Sequence, residues 1–401
     1  VTDSELILRI AAKGDGITAT GRHSSRAAPG DTLHADGTVT PGPHHAVPPC
    51  RHFGTCGGCQ MQHVDEEMLI QFAYDRVANA AEGQGLVPGK KIAAPAMSPP
   101  YSRRRASLKA VNGGGSAALG FNEAGTHRLV DLKECHVLHP ALFAAAVQFR
   151  RYFSKLKRKF AIGLELSLVD QGVDCLLSGF SPEGLAQTED LLDLCRDAGL
   201  ARLSLDHGYG PEGFWEPEPV TMSFGGVAVS FPPGAFMQAT LEGETALVGA
   251  AREWLSGCGA VADLFAGLGT FALPLAKDHR VIAAEGDRAA ILALKTAAGR
   301  ALLPVEAQHR DLFRNPLRPE ELALLDGVVL DPPRAGARSQ VEQLAASSVK
   351  RIVYISCNPS SWSRDGALLT AAGYELAELR PVGQFRWSTH VELASLFVKR
   401  G

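Results

Sequence analysis

Asp263-Leu264-Phe265-Ala266-Gly267-Leu268-Gly269-Thr270-Phe271-Ala272 decides the fold. It joins an apolar run, Val261 to Phe265, that reads as a buried strand to a helical run ending near Ala276. Glycine permits the tight turn between them and lets a ligand approach the backbone. Working outward, Val281 to Ala284 reads as the next strand and Arg288 to Arg300 as a helix. Gly327 to Leu330 and Ile352 to Ile355 are further strands, and two last ones fall near Glu375 to Leu379 and Leu393 to Lys399. Strands and helices alternating at these lengths predict an α/β domain with a Rossmann-like, doubly wound sheet.

In such a sheet, ligands bind beyond the carboxyl ends of the strands. Gly267-x-Gly269-x-x-Ala272 fits a dinucleotide fingerprint, and Glu285 ends the second strand where a carboxylate grips a ribose hydroxyl pair. Nicotinamide dinucleotides and S-adenosylmethionine both present that ribose. Asp263 favours S-adenosylmethionine, because a carboxylate repels a pyrophosphate but not an amino group or a sulfonium. Asp331-Pro332-Pro333-Arg334 ends another strand. Amino-group methyltransferases carry an aromatic residue in the last place of a similar motif, so Arg334 argues against methylation of an exocyclic amine.

Tyr354-Ile355-Ser356-Cys357-Asn358-Pro359 sets a cysteine at the end of the following strand, just before a helix. Asn358 suits the N-cap and Pro359 the first helical position. The helix N-terminus and Arg364 are expected to raise the thiolate fraction of Cys357, from the few per cent of an ordinary thiol with a pKa of roughly 8.5. Taken alone, such a residue is as easily a buried core cysteine.

Most methyl acceptors need no covalent catalyst, but C5 of a pyrimidine is a poor nucleophile. Thiolate addition at C6 gives C5 carbanion character, and a base must afterwards remove the C5 proton. Glu392, opening an otherwise apolar final strand, is the candidate base, although alone it reads as a solvated strand end.

The 401 residues are 45% hydrophobic with a net charge of −3, which suits a folded chain of two or three domains and excludes a uniformly basic nucleic-acid binder. Leu6-Ile7-Leu8 is short and followed by Arg9, and no run approaches a membrane span, so a cytoplasmic, reducing location is expected. There the eight cysteines are metal-binding or catalytic candidates before disulfide partners. Cys50, Cys56 and Cys59 lie within ten residues around Gly57-Gly58, and Cys135 offers a distant fourth thiol. The spacing fits zinc or an iron–sulfur cluster. Arg103-Arg104-Arg105, and Arg150, Arg151, Lys155, Lys157, Arg158 and Lys159 with Tyr152 and Phe153 between them, are candidate phosphate-binding patches.

The strings DLFAGLGTFALPLA, DPPRAGA, SCNPSSWSRD and HVELASLF, in that order, resemble the RNA 5-methyluridine (uracil-C5) methyltransferases. HFGTCGGCQMQH with Cys135 is similar to the 23S rRNA branch of the RlmD and RlmC type. The resemblance covers most of residues 50 to 401. It implies a class I S-adenosylmethionine-dependent methyltransferase domain at 231–401 and an α+β central domain for the cluster and RNA at 50–230. A shortened TRAM/OB-like β-barrel is implied for 1–49. It implies Cys357 as nucleophile and Glu392 as proton acceptor. Gln238, Phe265, Gly267, Gly269, Thr270, Glu285, Asp311 and Asp331 are implied for the cofactor, with Gln238 and Asp331 also reaching the uracil. Phe236-Met237-Gln238-Ala239-Thr240 is similar to the family's F-x-Q-x-N string, so Phe236 is expected to stack on a flipped uracil, with Thr240 departing from the usual Asn. Thr270 likewise replaces an Asn. The branch carries a [4Fe-4S] cluster, implied here on Cys50, Cys56, Cys59 and Cys135. The expected partner is RNA, rRNA ahead of tRNA, with no DNA or membrane and the protein a monomer.

Overall fold

The computed structural model describes residues 4–112 and 116–400. The chain divides into two units, one of Val1–Phe72, Ser98–Glu218 and Phe385–Thr389, the other of Ala73–Met97, Pro219–Gln384 and His390–Gly401.

The first unit begins with β1 (Glu5–Ile10), β2 (Gly16–Thr18), β3 (His23–Ser24), β4 (Thr32–Leu33) and β5 (Val39–Thr40), an antiparallel half-barrel in the order β3-β2-β1-β4-β5. Its core is small: Ile7, Ala27 and Leu33, with Val39 packed against them. Polar stitching supplements it. The buried Asp31 carboxylate accepts the N–H groups of Ala28 (2.8 Å) and Gly42 (2.7 Å) and meets His45 Nδ1 at 2.7 Å. Gly42 passes so close to Gly30 that a Cβ there would sit 2.0 Å from its carbonyl oxygen. The chain continues through α1 (Glu66–Glu82), expected from its helical period, and β6 (Ala96–Met97).

A six-stranded sheet follows, β12-β11-β10-β9-β7-β8. It comprises β7 (Arg105–Asn112), β8 (Ala118–Gly120), β9 (Phe160–Val169), β10 (Gly172–Ser178), β11 (Leu200–Asp206) and β12 (Pro211–Trp215), with α2 (Pro140–Lys155) and α3 (Gly184–Asp197). Phe149, Tyr152 and Phe153 of α2 are buried in its core.

The second unit, which already holds β6, resumes with the hairpin β13 (Thr221–Phe224) and β14 (Val227–Ser230), then α4 (Leu241–Trp254). The alternation follows: β15 (Ala260–Leu264), α5 (Ala272–Leu275), β16 (Arg280–Glu285), α6 (Arg288–Arg300), β17 (Val305–His309), α7 (Pro319–Leu322) and β18 (Gly327–Leu330). It closes with α8 (Arg338–Ala345), β19 (Arg351–Ser356), α9 (Pro359–Ala371), β20 (Tyr374–Gly383) and β21 (Glu392–Lys399). The eight-stranded sheet runs β17-β16-β15-β18-β19-β21-β20-β6. β15 pairs in parallel with both β16 and β18, so the strand order reverses there and opens a crevice at the carboxyl ends. β21 is antiparallel to both β19 and β20. Among the described residues, no helix is long and apolar enough to cross a membrane.

Helix α9 is fastened to this sheet by buried polar groups. Trp362 Nε1 donates to Ser395 Oγ (2.8 Å), whose hydroxyl donates to the Tyr354 carbonyl (3.0 Å). Asp365 Oδ2 accepts from the Tyr354 hydroxyl (2.6 Å) and the Ala337 N–H (2.8 Å), tying the loop after β18 to α9. Asp365→Ala strands both donors, each bond to such a group contributing about 1.5–3 kcal/mol. A urea unfolding curve should lose about 3 kcal/mol or more, and Tyr354→Phe about 1–2 kcal/mol.

Candidate functional site

The strand ends bring the predicted site residues of the second unit together. Ser356 of β19 pairs with Leu393 of β21, so Cys357 and Glu392 are the next neighbours along two antiparallel strands. Glu392 is buried (5% exposed), not solvated as a strand-end glutamate usually is. Cys357 is partly buried, one residue ahead of the N-cap of α9. Asn358 caps that helix by accepting the Ser360 N–H (3.2 Å), with Pro359 at the start of the helix. Its Nδ2 also donates to the Arg334 carbonyl (2.9 Å), as does the Ser361 hydroxyl (3.0 Å). The Asp-Pro-Pro-Arg loop and the cysteine turn are thus one hydrogen-bonded assembly.

The expected depression of the Cys357 pKa is not found. Burial pushes the thiol up, and the charges of Glu392 and Asp331 push it the same way. The opposing cation is Arg334, not Arg364. Arg364 is exposed, with its Nε directed at the Ser360 carbonyl (3.3 Å). One nearby cation and a helix end do not outweigh desolvation and two carboxylates. Arg334 is therefore a site residue whose electrostatic part was not foreseen. Its signal was the charged residue in the motif's last place.

The glycine turn behaves as its sequence requires. Gly267 (φ 53°) and Gly269 (φ 94°) take the left-handed backbone, as does Phe265 (φ 65°). A Cβ on Gly269 would strike Leu294 at 2.5 Å, whereas one on Gly267 would meet open space within 4 Å. The Gly267 N–H donates to Glu285 Oε2 (2.8 Å), and the Asp287 N–H to Oε1 (2.7 Å). Each oxygen of that carboxylate retains a lone pair for a hydroxyl. Phe265 packs on Phe313, ring centroids 5.3 Å apart, and Asp311 Oδ1 accepts the Phe313 N–H (3.0 Å). Thr270 is partly buried beside Gly269.

Asp263 is buried, accepts the Ala272 N–H at Oδ2 (2.7 Å), and has no hydrogen-bond partner for Oδ1 among the described residues. Burial above all, with the charges of Asp331 and Glu285 adding, raises its pKa to about 8. Asp331 is raised to about 7 by burial, against the opposing bond from Gln238 Nε2 (2.9 Å). A buried acidic cradle with an orphaned oxygen, next to an open glycine face, fits a ligand that is cationic at one end and carries a ribose. Those are the features of S-adenosylmethionine.

Phe236 is 61% exposed, so ordinary core packing does not explain it. Thr240 is buried and caps α4 by accepting the Gly243 N–H (3.1 Å). Thr and Asn are both good N-caps, so the departure from Asn preserves this local job.

In the first unit, Cys50, Cys56, Cys59 and Cys135 line one cavity of about 50 Å³ with Phe53, Phe121 and Arg103. Backbone bonds bring the distant segments together: Arg51 N–H to Glu134 Oε1 (2.7 Å) and Lys133 N–H to His52 Nε2 (2.9 Å). The Gly58 N–H points at Cys56 Sγ (3.5 Å). Burial raises Cys50 and Cys56, and Cys59 to about 12. Among the described residues, no three or more His, Cys, Asp or Glu side chains stand gathered for a single metal ion. A cavity walled by four thiols, with a backbone donor aimed at sulfur, fits a larger sulfur-ligated centre. Cys175, Cys195 and Cys258 are buried elsewhere.

The basic patches are corrected in part. Arg104 is buried and Arg103 is partly so, its guanidinium 5.5 Å over Phe385. Tyr152 and Phe153 face the core, while Arg150, Lys155 and Arg158 pair with Asp131, Asp190 and Glu183. Helical geometry turned the aromatics inward, and acids distant in sequence meet three of the six cations, while Arg151, Lys157 and Lys159 stay exposed.

A family model for tRNA (uracil-5-)-methyltransferases matches residues 316–400. A Zymomonas mobilis protein named as an RNA methyltransferase is 48% identical over 98% of this chain and 99% of its own. The 23S rRNA (uracil(1939)-C(5))-methyltransferase RlmD of Edwardsiella ictaluri is 32% identical over 90% of this chain and 83% of its own. A crystal structure of the Pyrococcus abyssi tRNA (uracil-54, C5)-methyltransferase with S-adenosyl-L-homocysteine shares the fold, with a TM-score of 0.73. It is 22% identical, covering 98% of this chain and 100% of that one. The chain belongs to the RNA uracil-C5 methyltransferase family and has the fold of S-adenosylmethionine-dependent methyltransferases.

The electrostatics of Cys357 give a direct test. At pH 8, Glu392→Gln should speed its alkylation by iodoacetamide and Arg334→Ala should slow it, each roughly two- to fivefold, because one raises and the other lowers the thiolate fraction. Mass spectrometry of the Cys357 peptide reads both rates, and equal rates in all three proteins would remove these charges from the account.

Proposed function

We propose that this family member methylates C5 of a uridine in RNA, with Cys357 as nucleophile and Glu392 as the base. The observation that carries the reading is the strand register that sets a partly buried thiol beside a buried carboxylate at the sheet's ligand-binding edge. The exposed ring of Phe236 is suited to stack on a base swung out of the RNA.

In this reading, Cys357 Sγ adds to C6 of the uracil as thiolate, and the C5=C6 electron pair moves toward C5 and the O4 carbonyl. S-adenosylmethionine, when bound, supplies an electrophilic methyl group. Once C5 carries that methyl, Glu392 takes the C5 proton, the C6–S bond breaks, and Cys357 leaves as thiolate. Arg334 supports the thiolate at both ends of the cycle. Glu285 would hold the ribose hydroxyls, Phe265 and Phe313 would pack against the adenine, and Asp263 would face the amino end. Gly267, Gly269, Thr270 and Asp311 form the surrounding turns, while Gln238 and Asp331 reach both cofactor and uracil. Water exclusion falls to the apolar strand ends around Glu392.

The RNA is proposed to be 23S rRNA, a reading favoured by the RlmD relative, and the protein a cytoplasmic monomer. The tRNA reading is the alternative, since the structural neighbour acts on tRNA. Cys50, Cys56, Cys59 and Cys135 are proposed to hold a [4Fe-4S] cluster with a structural task. Uracil C5 methylation by this route needs no electron transfer.

Cys357→Ala should abolish methyl transfer to unmodified 23S rRNA transcripts while calorimetry shows S-adenosylmethionine binding intact; retained turnover refutes the nucleophile. Glu392→Gln should accumulate a protein–RNA adduct on denaturing gels, because the thiolate cannot leave until C5 is deprotonated. Anaerobically purified protein should contain iron and sulfide. Stoichiometric zinc without either would overturn the cluster.

A further inference from the structure

Three buried groups outside the reacting pair form a chain whose direction can be read without ambiguity. Gln384 Oε1 accepts the Ala239 N–H (3.1 Å). A backbone N–H can only donate, so this contact fixes which end of the Gln384 amide is oxygen. Its Nε2 must then face Gln238, and it donates to Gln238 Oε1 (2.9 Å). That in turn orients Gln238, whose Nε2 donates to Asp331 Oδ2 (2.9 Å). Gln238 and Gln384 are each 2% exposed, so water does not scramble the order. The Gln384 oxygen sits over the first turn of α4, the positive end of that helix. The fit is close: a Cβ on Gly243 would come within 2.7 Å of both Gln384 Cβ and Oε1.

We infer that Gln384 is a positioning residue that sets the donor–acceptor sense of Gln238, and thereby holds Asp331 as a hydrogen-bond acceptor for a pyrimidine bearing a proton on N3. This rests on the proposed uracil chemistry. Gln238 Nε2 bonds Oδ2 of Asp331, which directly follows β18 at the carboxyl edge of the sheet. An ionised Asp331 accepts from uracil N3–H. Cytosine, whose N3 is itself an acceptor, is repelled by the same oxygen. A reversed Gln238 would turn its oxygen on Asp331 and favour the protonated acid, removing the acceptor. The other groups that share Asp331's field are Asp263, Tyr354 and Cys357.

Gln384→Met removes both polar ends without adding charge, and Gln384→Glu keeps the acceptor for Ala239 but cannot donate to Gln238. Both should lower kcat on an unmodified 23S rRNA transcript roughly tenfold or more, with Glu the worse, while the KM for S-adenosylmethionine changes little. The acid limb of the pH–rate profile should move to higher pH in both. The same displacement is expected in the carboxyl ¹³C titration of Asp331, assigned by comparison with Asp331→Asn and recorded without RNA. A purely structural part for Gln384 predicts lowered thermal stability with an unshifted titration, and that result overturns the inference. Wild-type protein inactive on both rRNA and tRNA transcripts would refute the proposed activity instead. The titration still decides the part played by Gln384.

Discussion

The antiparallel pairing of β21 with β19 is the constraint on which the site depends. In a sheet otherwise built of parallel strands, loops of neighbouring strands meet at the carboxyl edge, and each contributes one residue as its strand ends. β21 runs the other way, so it contributes the residue at its start, Glu392, directly beside the end of β19. A one-residue slip would turn Glu392 to the opposite face of the sheet. The register is held by the apolar side chains Leu393, Ala394, Leu396 and Phe397, all buried, and by Ser395, which bonds Tyr354 across the pair. The geometry of the Cys357–Glu392 pair is thus a by-product of core packing.

The same crowding has an electrostatic cost. Asp263 and Asp331 are raised to about 8 and about 7, and the Cys357 thiol is also raised. Burial is the first cause in each, and mutual repulsion adds to it. Such a site favours a ligand that brings positive charge into it, which suits a sulfonium and an ammonium. The hydrogen-bond chain from Ala239 through Gln384 and Gln238 to Asp331 works against that cost by giving one carboxylate a fixed donor.

Much of this was legible in the linear chain where the local signal is strong. β18 and α6 fall on their expected residues because a short apolar run and a capped amphipathic helix leave little choice. β17, Val305–His309, was missed because it lies at the sheet edge and its short Val-Glu-Ala-Gln-His alternation, with no residue fully buried, carries only two apolar side chains. α5 is only Ala272–Leu275, shorter than the helical run suggested. The cationic stretch from Arg150 to Lys159 was misread at three of its six cations for a different reason. Its partners, Asp131, Asp190 and Glu183, are distant in sequence, and charge counting along the chain cannot see them.

By itself the sequence determined the chemistry on offer: a thiol before a capped helix, a carboxylate opening a strand, a glycine turn and three clustered cysteines with a distant fourth. Those follow from residue type and spacing, which act over a few residues. Only the tertiary structure decided which groups feel one another. It made Arg334 rather than Arg364 the cation facing Cys357, buried Glu392 and Arg104, exposed Phe236, and aligned Gln384 behind Gln238. Charge, desolvation and hydrogen-bond polarity act through space, and they are set when distant strands come into register.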